Sequence, residues 1–364
     1  MTTTRRKFLG TALAAGAWPS VRAAAAERPL TFILMSDAHV ESDFLEHGRP
    51  VYTCWRPGNH AALVETYRFI NADPACREAQ FALFCGDQIN TGYTREQEQL
   101  DAEMAIYDRT LAALDLQAKA KGTDLSGFRF RARPYVCREN LSGRRGQKPF
   151  TVVPPPLASR VIAIQGNHDT GCRAFYRECA FQCGDVKFIT FFASYVGLPA
   201  PKGKYRSTGR ISDEALAFVE AEMADAAADP GIRHIVLACH WSIGLGQPET
   251  FGWPIFDACP ENGMSDNRRK LLALAAKYGC DLYLNGHEHN ARWPFGRVEG
   301  LIDVNCGTMT DEKAAFALVQ IQSHRAVFNV YSRAVCRETA PGAYETVQTP
   351  RRQFAFEVPL RPRR

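Results

Sequence analysis

Five short polar clusters each follow or end an apolar run, and this arrangement restricts the possible folds more than any other feature of the sequence. The apolar runs span residues 30–35, 81–85, 161–164, 232–239 and 282–284. The clusters are Asp37-Ala38-His39, Gly86-Asp87, Gly166-Asn167-His168-Asp169, Cys239-His240 and Gly286-His287-Glu288-His289. Open α/β sheets build their sites at the carboxyl ends of strands. The sequence therefore predicts strands whose carboxyl ends supply the polar residues of one site.

Helical patterns separate many of these runs, with apolar residues every three to four positions, as in Leu63, Tyr67 and Ile70. This alternation is typical of a layered α/β domain. Beyond Leu301, apolar runs follow one another with little helix between them, which predicts an antiparallel end to the sheets. The sequence contains no internal repeat or linker, so we expect a single domain over residues 27–364.

Residues 119–156 interrupt the alternation with three consecutive prolines, several glycines and scattered arginines, and we predict an inserted loop or lid there. A solvated basic loop is the default interpretation, and contact with an anionic substrate is the alternative. The arginines concerned are Arg129, Arg131, Arg133, Arg144 and Arg145.

The first 26 residues have the composition of an export signal. Arg5, Arg6 and Lys7 precede a short Ala/Gly-rich apolar stretch, and alanines 23–26 supply the small residues of a cleavage site. The stretch is shorter than the roughly 20 residues that span a bilayer, so we expect no stable membrane anchor. The segment 4–9 resembles a twin-arginine signal, which implies the twin-arginine export machinery as a partner and a periplasmic or secreted location.

Most of the positive charge of the chain belongs to this segment. Its removal takes 4 of the 44 Lys and Arg residues and none of the 39 Asp and Glu residues, which leaves 40 minus 39, or a net charge of +1. A nearly neutral mature chain lacks the basic footprint typical of nucleic-acid binding. The 12 cysteines suit an oxidising compartment, and a disulfide could form among Cys172, Cys179 and Cys183.

The polar clusters contain the donor types that a pair of metal ions requires. Such a pair needs oxygen and imidazole donors that converge from several strands, and one carboxylate that can bridge both ions. Each cluster is weak evidence alone, and a second Gly-Asn-His occurs at residues 58–60. That copy follows Pro57 and begins a helical pattern, so we interpret Asn59 first as a helix N-cap and His60 as a surface residue.

Taken in order, the clusters resemble the D-x-H, G-D, G-N-H-[DE], H and G-H-x-H motifs of the calcineurin-like metallophosphoesterase superfamily. The resemblance covers residues 37–289. It implies an α/β fold, a four-layer αββα sandwich of two mixed β-sheets flanked by helices, with a dinuclear metal site at the carboxyl-terminal ends of strands.

The resemblance also implies the role of each site residue. Asp37, His39 and His289 would hold one metal, and Asn167, His240 and His287 would hold the other, with Asp87 bridging them. His168 would lie over the substrate phosphate, where it would stabilise charge or protonate the leaving oxygen, and Asp169 would help to orient it. The nucleophile would be a metal-bound hydroxide.

Two departures from related patterns affect the expected pocket. Asn90 stands where purple acid phosphatases place a tyrosine ligand, which disfavours a coloured iron site, and His240-Trp241-Ser242 replaces the H-x-P form common in the superfamily. Candidate substrate contacts near the metal loops, for which turn-forming or packing roles are equally compatible, are Asn59, Asn90, Tyr93 and Trp241.

The sequence thus predicts an exported hydrolase of small phosphate esters, with phosphodiesters favoured. The D-x-H and G-N-H-D forms resemble phosphodiesterase branches of the superfamily, although several monoesterases share them. A phosphomonoesterase with the same site is the first alternative, and a metal-bearing binding protein without turnover is the second. The donor set accepts manganese, iron, zinc or cobalt, so the sequence leaves the identity of the two divalent or trivalent ions open.

Overall fold

The computed structural model describes residues 29–40, 45–46, 49–50, 59–90, 97–118, 125, 128–137, 150–169, 174–198, 206–244, 266–340 and 342–361. The export segment and Tyr93 lie outside these residues. Among the residues described, no helix combines the length and the apolar character needed to cross a membrane.

Strands outnumber helices in the described parts of the chain. The helices are α1 (Asn59–Ala72), α2 (Gln97–Leu111), α3 (Asp115–Ala118), α4 (Asp213–Ala228) and α5 (Asn267–Tyr278), with a 3-10 turn at Cys76–Glu78. The strands are β1 (Leu30–Met35), β2 (Leu45–Glu46), β3 (Arg49–Pro50), β4 (Phe81–Phe84), β5 (Phe128–Ala132), β6 (Tyr135–Cys137), β7 (Phe150–Val152), β8 (Val161–Ala163), β9 (Cys179–Cys183), β10 (Val186–Thr190), β11 (Ala193–Leu198), β12 (Arg206–Ile211), β13 (His234–Ala238), β14 (Leu282–Asn285), β15 (Phe295–Val298), β16 (Leu301–Asn305), β17 (Phe316–Gln322), β18 (Arg325–Tyr331), β19 (Val335–Ala340), β20 (Ala343–Gln348) and β21 (Arg352–Pro359).

Two large mixed sheets form the centre of the fold. The first sheet has the order β21-β18-β17-β1-β4-β8, and the second has the order β15-β16-β14-β13-β10-β9-β5. In the first sheet β1, β4 and β8 run parallel, and β17, β18 and β21 add antiparallel strands. In the second sheet β10, β13, β14 and β16 run parallel. The predicted antiparallel end after Leu301 is found in β17, β18 and β21, which complete the first sheet and not the second. The first run of that segment, β16, instead pairs parallel with β14.

Helices cover the outer face of each sheet, and the inner faces pack against each other. Phe32 of β1 and Phe81 of β4 meet Phe188 of β10 edge to face, with ring centroids 5.4 and 5.2 Å apart. This contact is typical of aromatic pairs in a protein core. Helices α1 and α2 pack on the first sheet, and α4 and α5 pack on the second. The predicted four-layer αββα sandwich is confirmed.

Part of the segment predicted as an inserted loop is strand. Residues 128–132 form β5 at the edge of the second sheet, where β5 pairs with β9, and β6 pairs with β7 in a separate hairpin. The alternation of Phe128 and Phe130 with Arg129 and Arg131 fits a half-covered edge strand. The lid function of residues 119–156 stays a prediction.

The arginines of this segment have different surroundings. Arg129 lies 3.7 Å from the carboxylate of Asp229, and Arg131 pairs with Glu222 and Asp225 of α4. Arg133 lines a cavity of about 640 Å³ with Arg177 and Arg210. Positions 144 and 145 lie outside the described residues.

The disulfide expectation is corrected for two of its three cysteines. Cys179 and Cys183 are free and lie four residues apart on β9, which separates them by about 13 Å. The sulfur of Cys179 contacts the hydroxyl of Thr190 at 3.1 Å, and the thiol of Cys183 donates to Gln80 at 3.1 Å. Position 172 lies outside the described residues.

Candidate metal centre

The carboxyl ends of five parallel strands bring the predicted ligands together. The loops after β1, β4 and β8 supply Asp37, His39, Asp87 and Asn167 from the first sheet, and the loops after β13 and β14 supply His240, His287 and His289 from the second. Three overlapping groups of donor atoms, each mutually within 4.8 Å, are Asp37-His39-His289, His39-Asp87-His168 and Asp87-His240-His287.

Five of the seven predicted ligands occupy the left-handed region of backbone conformation. Their φ angles are 54° for Asp37, 43° for His39, 53° for Asp87, 71° for His287 and 49° for His289. Non-glycine residues rarely adopt this conformation, and when they do they cluster at functional sites. The surrounding structure therefore holds these side chains towards the site at some cost in stability.

The first group of donors lies at the end of β1. The Nε2 atoms of His39 and His289 are 3.0 Å apart, and Nε2 of His289 lies 3.1 Å from Oδ1 of Asp37. Nδ1 of His39 lies 3.2 Å from Oδ1 of Asn90. Because Nδ1 donates to this amide oxygen, Nε2 of His39 keeps its lone pair towards the other donors.

The second group lies between the two sheets. Nε2 of His240 is 3.1 Å from Oδ2 of Asp87, 3.0 Å from Oδ1 of Asn167 and 3.1 Å from Nδ1 of His287. Nδ1 of His240 donates to the carbonyl oxygen of Cys85 at 2.8 Å, which leaves the Nε2 lone pair for a ligand. Asp87 belongs both to this group and to the group formed with His39 and His168, as a bridging carboxylate would.

The electrostatics of the site also suit cations. Burial lowers the pKa of His39 to about 4 and that of His287 to about 3, so both rings are neutral and can act as ligands. Burial alone would lower the pKa of His240, but the charges of Asp87 and Asp37 raise it to about 10. The carboxylates therefore draw positive charge into the site, and metal ions would supply it.

Small residues allow the ligand loops to approach each other closely. Gly86 has a φ of 94°, and a Cβ there would collide with the His240 ring. A Cβ on Gly286 would collide with Ser36 and Asp37. Any larger residue would push the loops apart, so both glycines fit the close packing of the ligand loops. The donor types, the ring orientations and this packing together fit a metal pair.

His168 lies beside this centre with part of its ring exposed. Its backbone amide donates to Oδ1 of Asp87 at 2.8 Å, and its Nδ1 donates to the carbonyl oxygen of Asn90 at 2.6 Å. Its side chain is 22% exposed, whereas those of His39 and His240 are 2% and 0% exposed. His168 is therefore the most accessible to solvent of these three imidazoles. The distances alone also place a ring nitrogen of His168 among the candidate metal donors.

Asp169 joins the loops of the first sheet. Its Oδ1 accepts hydrogen bonds from the amides of Gln88 and Ile89 at 2.9 and 3.1 Å, and its Oδ2 accepts one from Gly166 at 2.8 Å. The described contacts of its carboxylate therefore join the backbone just after the G-D motif to the first residue of the G-N-H-D motif. A direct hold of Asp169 on the His168 ring stays a prediction.

Three predicted substrate contacts are described, and each touches a ligand or its loop. Asn59 is the first residue of α1, and its amide nitrogen donates to the carbonyl oxygen of Ala38 at 2.8 Å. The side chain of Asn90 holds His39 and its backbone holds His168. Trp241 is fully buried and packs on the His287 ring with centroids 4.0 Å apart. Contact of these residues with substrate stays a prediction.

A buried network that the sequence did not reveal supports the second-sheet ligands. Oδ2 of Asp303 on β16 accepts from the hydroxyl of Ser242 and from the amides of Ile243 and Gly244 at 2.9, 3.2 and 3.1 Å. The amide nitrogen of Asn285 donates to Oδ1 of Asp303. Asp303 follows no motif and lies inside an apolar strand. A charged residue in such a strand is the signal that could have singled it out.

The family model of the calcineurin-like phosphoesterases matches residues 30–291. The chain belongs to this family. The match includes all five motifs and ends two residues after His289. The predicted resemblance is thereby confirmed at family level, and the calcineurin-like phosphoesterases are dimetal hydrolases of phosphate esters.

Solved structures give distant likenesses to this calcineurin-like phosphoesterase. It is similar to a dimetal phosphatase from Danio rerio, with 13% identity, coverage of 83% of this chain and 96% of that chain, and a TM-score of 0.43. It is also similar to PhoD, with 10% identity, coverage of 89% and 72%, and a TM-score of 0.42. TM-scores below 0.5 carry no functional argument, so the assignment rests on the family match. No curated protein matches the sequence.

Proposed function

We propose that this protein is an exported phosphoesterase that hydrolyses small phosphodiesters. One observation carries the proposal. The described ligand loops converge on overlapping donor groups that share Asp87, and a partly exposed histidine stands beside them. The D-x-H and G-N-H-D forms support a diester substrate, since they resemble those of phosphodiesterase branches.

The residues present indicate how the chain would take part in hydrolysis. A bound metal pair would supply positive charge for the phosphate oxygens and would lower the pKa of a water molecule. Asp37, His39 and His289 would hold one ion, and Asn167, His240 and His287 would hold the other, with Asp87 shared. Manganese, iron and zinc all suit these donors.

His168 would act on the leaving group. Its Nδ1 hydrogen is committed to the carbonyl oxygen of Asn90, so the ring is held with Nε2 towards the site. Nε2 of the protonated ring can donate its proton to the departing oxygen, and Nε2 of the neutral ring can accept a proton from water. This arrangement favours catalysis over mere metal storage, because a storage site has no need of a partly exposed histidine that is held by a neighbouring carbonyl.

The test compares a diester with a monoester. The protein is stripped of metal with a chelator, reloaded with manganese, iron or zinc, and assayed with bis-p-nitrophenyl phosphate and p-nitrophenyl phosphate. Faster metal-dependent turnover of the diester, lost in Asp87→Ala, supports the proposal. Preference for the monoester makes the protein a phosphatase. Two bound ions without turnover of either ester, with any of the three metals, leave the binding-protein alternative.

Export is proposed from residues 1–26 and has its own test. Cells that produce the chain with Arg5→Lys and Arg6→Lys are fractionated beside cells that produce the unchanged chain. We expect the unchanged protein in the periplasm and the double variant in the cytoplasm, because the twin arginines are the part of the address that the receptor reads. Equal export of both proteins would contradict the twin-arginine assignment.

A further inference from the structure

Asp303 is a buried carboxylate that is not among the predicted metal ligands. It lies on β16 with 0% exposure, and β16 is the strand next to β14 in the second sheet. Burial of a carboxylate is costly unless hydrogen bonds satisfy its oxygens. The fold must therefore provide those bonds, and the position of the donors shows what the carboxylate organises.

The hydrogen-bond donors described for Asp303 come from the two loops that carry second-sheet ligands. Oδ2 collects Ser242, Ile243 and Gly244, which lie two to four residues after His240. Oδ1 accepts from Asn285, which lies two residues before His287. One side chain thus binds the turn after β13 and the end of β14 at the same time.

The contacts continue from Asp303 to the backbone of His240 and to the ring of His287. Oδ1 of Asn285 accepts from Asn305 at 2.6 Å, and Nδ2 of Asn305 also donates to the carbonyl oxygen of Gly286 at 2.7 Å. The amide of Gly286 then donates to the carbonyl oxygen of His240 at 2.9 Å. On the other side, Trp241 leads into the turn that Asp303 binds, and its ring packs on His287.

We propose that Asp303 is a positioning residue that sets the spacing of His240 and His287, and so controls the occupancy of the metal site that these two histidines form with Asn167. The first site depends on it less, because Asp37, a residue of the first-sheet loops, contacts His289 at 3.1 Å. The proposal rests on the metal centre of the proposed function and not on turnover.

Exchange of the two partners gives a sharp test. In Asp303→Asn the new amide group faces the amide group of Asn285, so two donors meet. In Asn285→Asp two carboxylates meet. In the double variant, which carries both substitutions, the amide introduced on β16 donates to the carboxylate introduced at the end of β14. The oxygen of that amide still accepts from the turn after β13, and the new carboxylate still accepts from Asn305. The exchange therefore restores these bonds with the charge moved from one strand to its neighbour, and it loses the bond from Asn285 to the carbonyl oxygen of Val304 at 3.1 Å.

The measurement is the number of ions bound per folded chain, by mass spectrometry of protein dialysed against graded manganese or zinc. We expect two ions in the unchanged protein. In Asp303→Asn we expect one ion retained and the other weakened about 10- to 100-fold, which is the usual effect of an outer-shell partner. The double variant should recover the second ion. Glu222→Gln is the matched control, since Glu222 is also 0% exposed and pairs with Lys187 at 2.9 Å far from the ligand loops.

The outcomes separate clearly. Two ions bound with unchanged affinity in folded Asp303→Asn overturn the proposal, and so does equal loss of the second ion in Glu222→Gln. If Asp303→Asn does not fold, the double variant decides, because a folded double variant without the second ion also overturns it. Two ions in the unchanged protein without any ester hydrolysis would refute the proposed function and leave this proposal standing.

Discussion

The two halves of the metal centre are held by different means. In the first-sheet half, strand pairing continues past β1 and β4 as backbone hydrogen bonds, from Asp37 to Gly86, from His39 to Asp87 and from Val40 to Gln88, at 2.9, 3.0 and 2.9 Å. In the second-sheet half, the backbone bonds between the two ligand loops run from Cys239 to Leu284 and from Gly286 to His240, at 3.1 and 2.9 Å, and the side chains of Asp303 and its asparagine partners add further hydrogen bonds. Backbone pairing tolerates changes of side chain, so the second half should be the more sensitive to substitution.

Each half nevertheless contains one buried aspartate that collects backbone amides. Asp169 binds three amides of the first-sheet loops, and Asp303 binds two amides, a hydroxyl and an asparagine of the second-sheet loops. Two carboxylates with similar hydrogen bonds can therefore contribute unequally to metal binding, because the contribution of each depends on what else holds the same loop.

The largest effect on turnover is expected from a residue that neither half uses as a predicted ligand. His168→Ala should lower kcat about 10²- to 10⁴-fold, because the general acid is lost. Both ions should remain bound, and metal content is measured beside steady-state kinetics. His60→Ala is the matched control, since His60 ends the second Gly-Asn-His and packs on Tyr344 with ring centroids 5.4 Å apart. Loss of an ion in His168→Ala would instead make His168 a ligand.

Gly86 is one of the places where the two halves touch, and its substitution tests that contact. Gly86→Ala places a Cβ against the His240 ring at a φ of 94°, so we expect weaker metal binding, about 10-fold or more. Backbone strain should add about 1–3 kcal/mol of destabilisation. Gly342→Ala is the control, because its φ of 75° brings strain without any neighbour within 4 Å. Calorimetry measures the loss of stability, and metal titration measures the loss of affinity. Equal metal affinity in Gly86→Ala and Gly342→Ala would contradict the close contact with His240.

Asp169→Asn tests how strongly the first-sheet half depends on its buried carboxylate. One amide donor loses its acceptor, so the free energy of unfolding should fall by about 1–3 kcal/mol. Metal affinity should fall by about 10-fold or less, at the low end of the usual range, since the backbone pairing of the first-sheet loops remains. Denaturant unfolding and metal titration are compared with those of Asp303→Asn. A larger metal loss in Asp169→Asn would reverse the ranking of the two halves.

The smallest effect is expected far from either half. The hydroxyl of Ser212 caps α4 by accepting from the amide of Ala215 at 3.1 Å. Ser212→Ala should lower the free energy of unfolding by about 1 kcal/mol. Turnover and metal content should not change, as thermal unfolding and the diester assay would show. A loss of metal here would mean that general stability, and not the local hold, governs the centre.

The polar clusters and the layered α/β pattern could be predicted because both have local signatures, whereas the four-layer sandwich and the role of each donor came from the family resemblance. A polar cluster after an apolar run marks a strand end, and periodicity marks a helix. The same local reasoning missed β5, although Phe128 to Arg131 alternates as an edge strand does, because glycine and proline on either side favoured a loop. It also allowed a disulfide between Cys179 and Cys183, because a short separation in sequence does not show that both residues lie along one extended strand, where they are too far apart to bond.

The supporting residues were beyond local reasoning for a different reason. Asp303 and Asn305 act on loops that precede them by about 60 and 20 residues, and nothing near them in the sequence indicates those partners. Asn90 could be singled out by its place after a motif, yet its contacts with His39 and His168 depend on how the loop turns. The types of the candidate donors are thus encoded locally, and their positions are encoded by the fold.

The left-handed backbone at five ligands limits how this centre can be redesigned. Asparagine, aspartate and histidine enter that conformation more readily than most other side chains, and they are also good metal donors. An attempt to change metal preference with glutamate or cysteine at Asp37, Asp87 or His289 would therefore meet two penalties, one from coordination and one from the backbone. Asn167 and His240 are absent from the positive-φ set, which makes them the better starting points for a centre with altered metal selectivity.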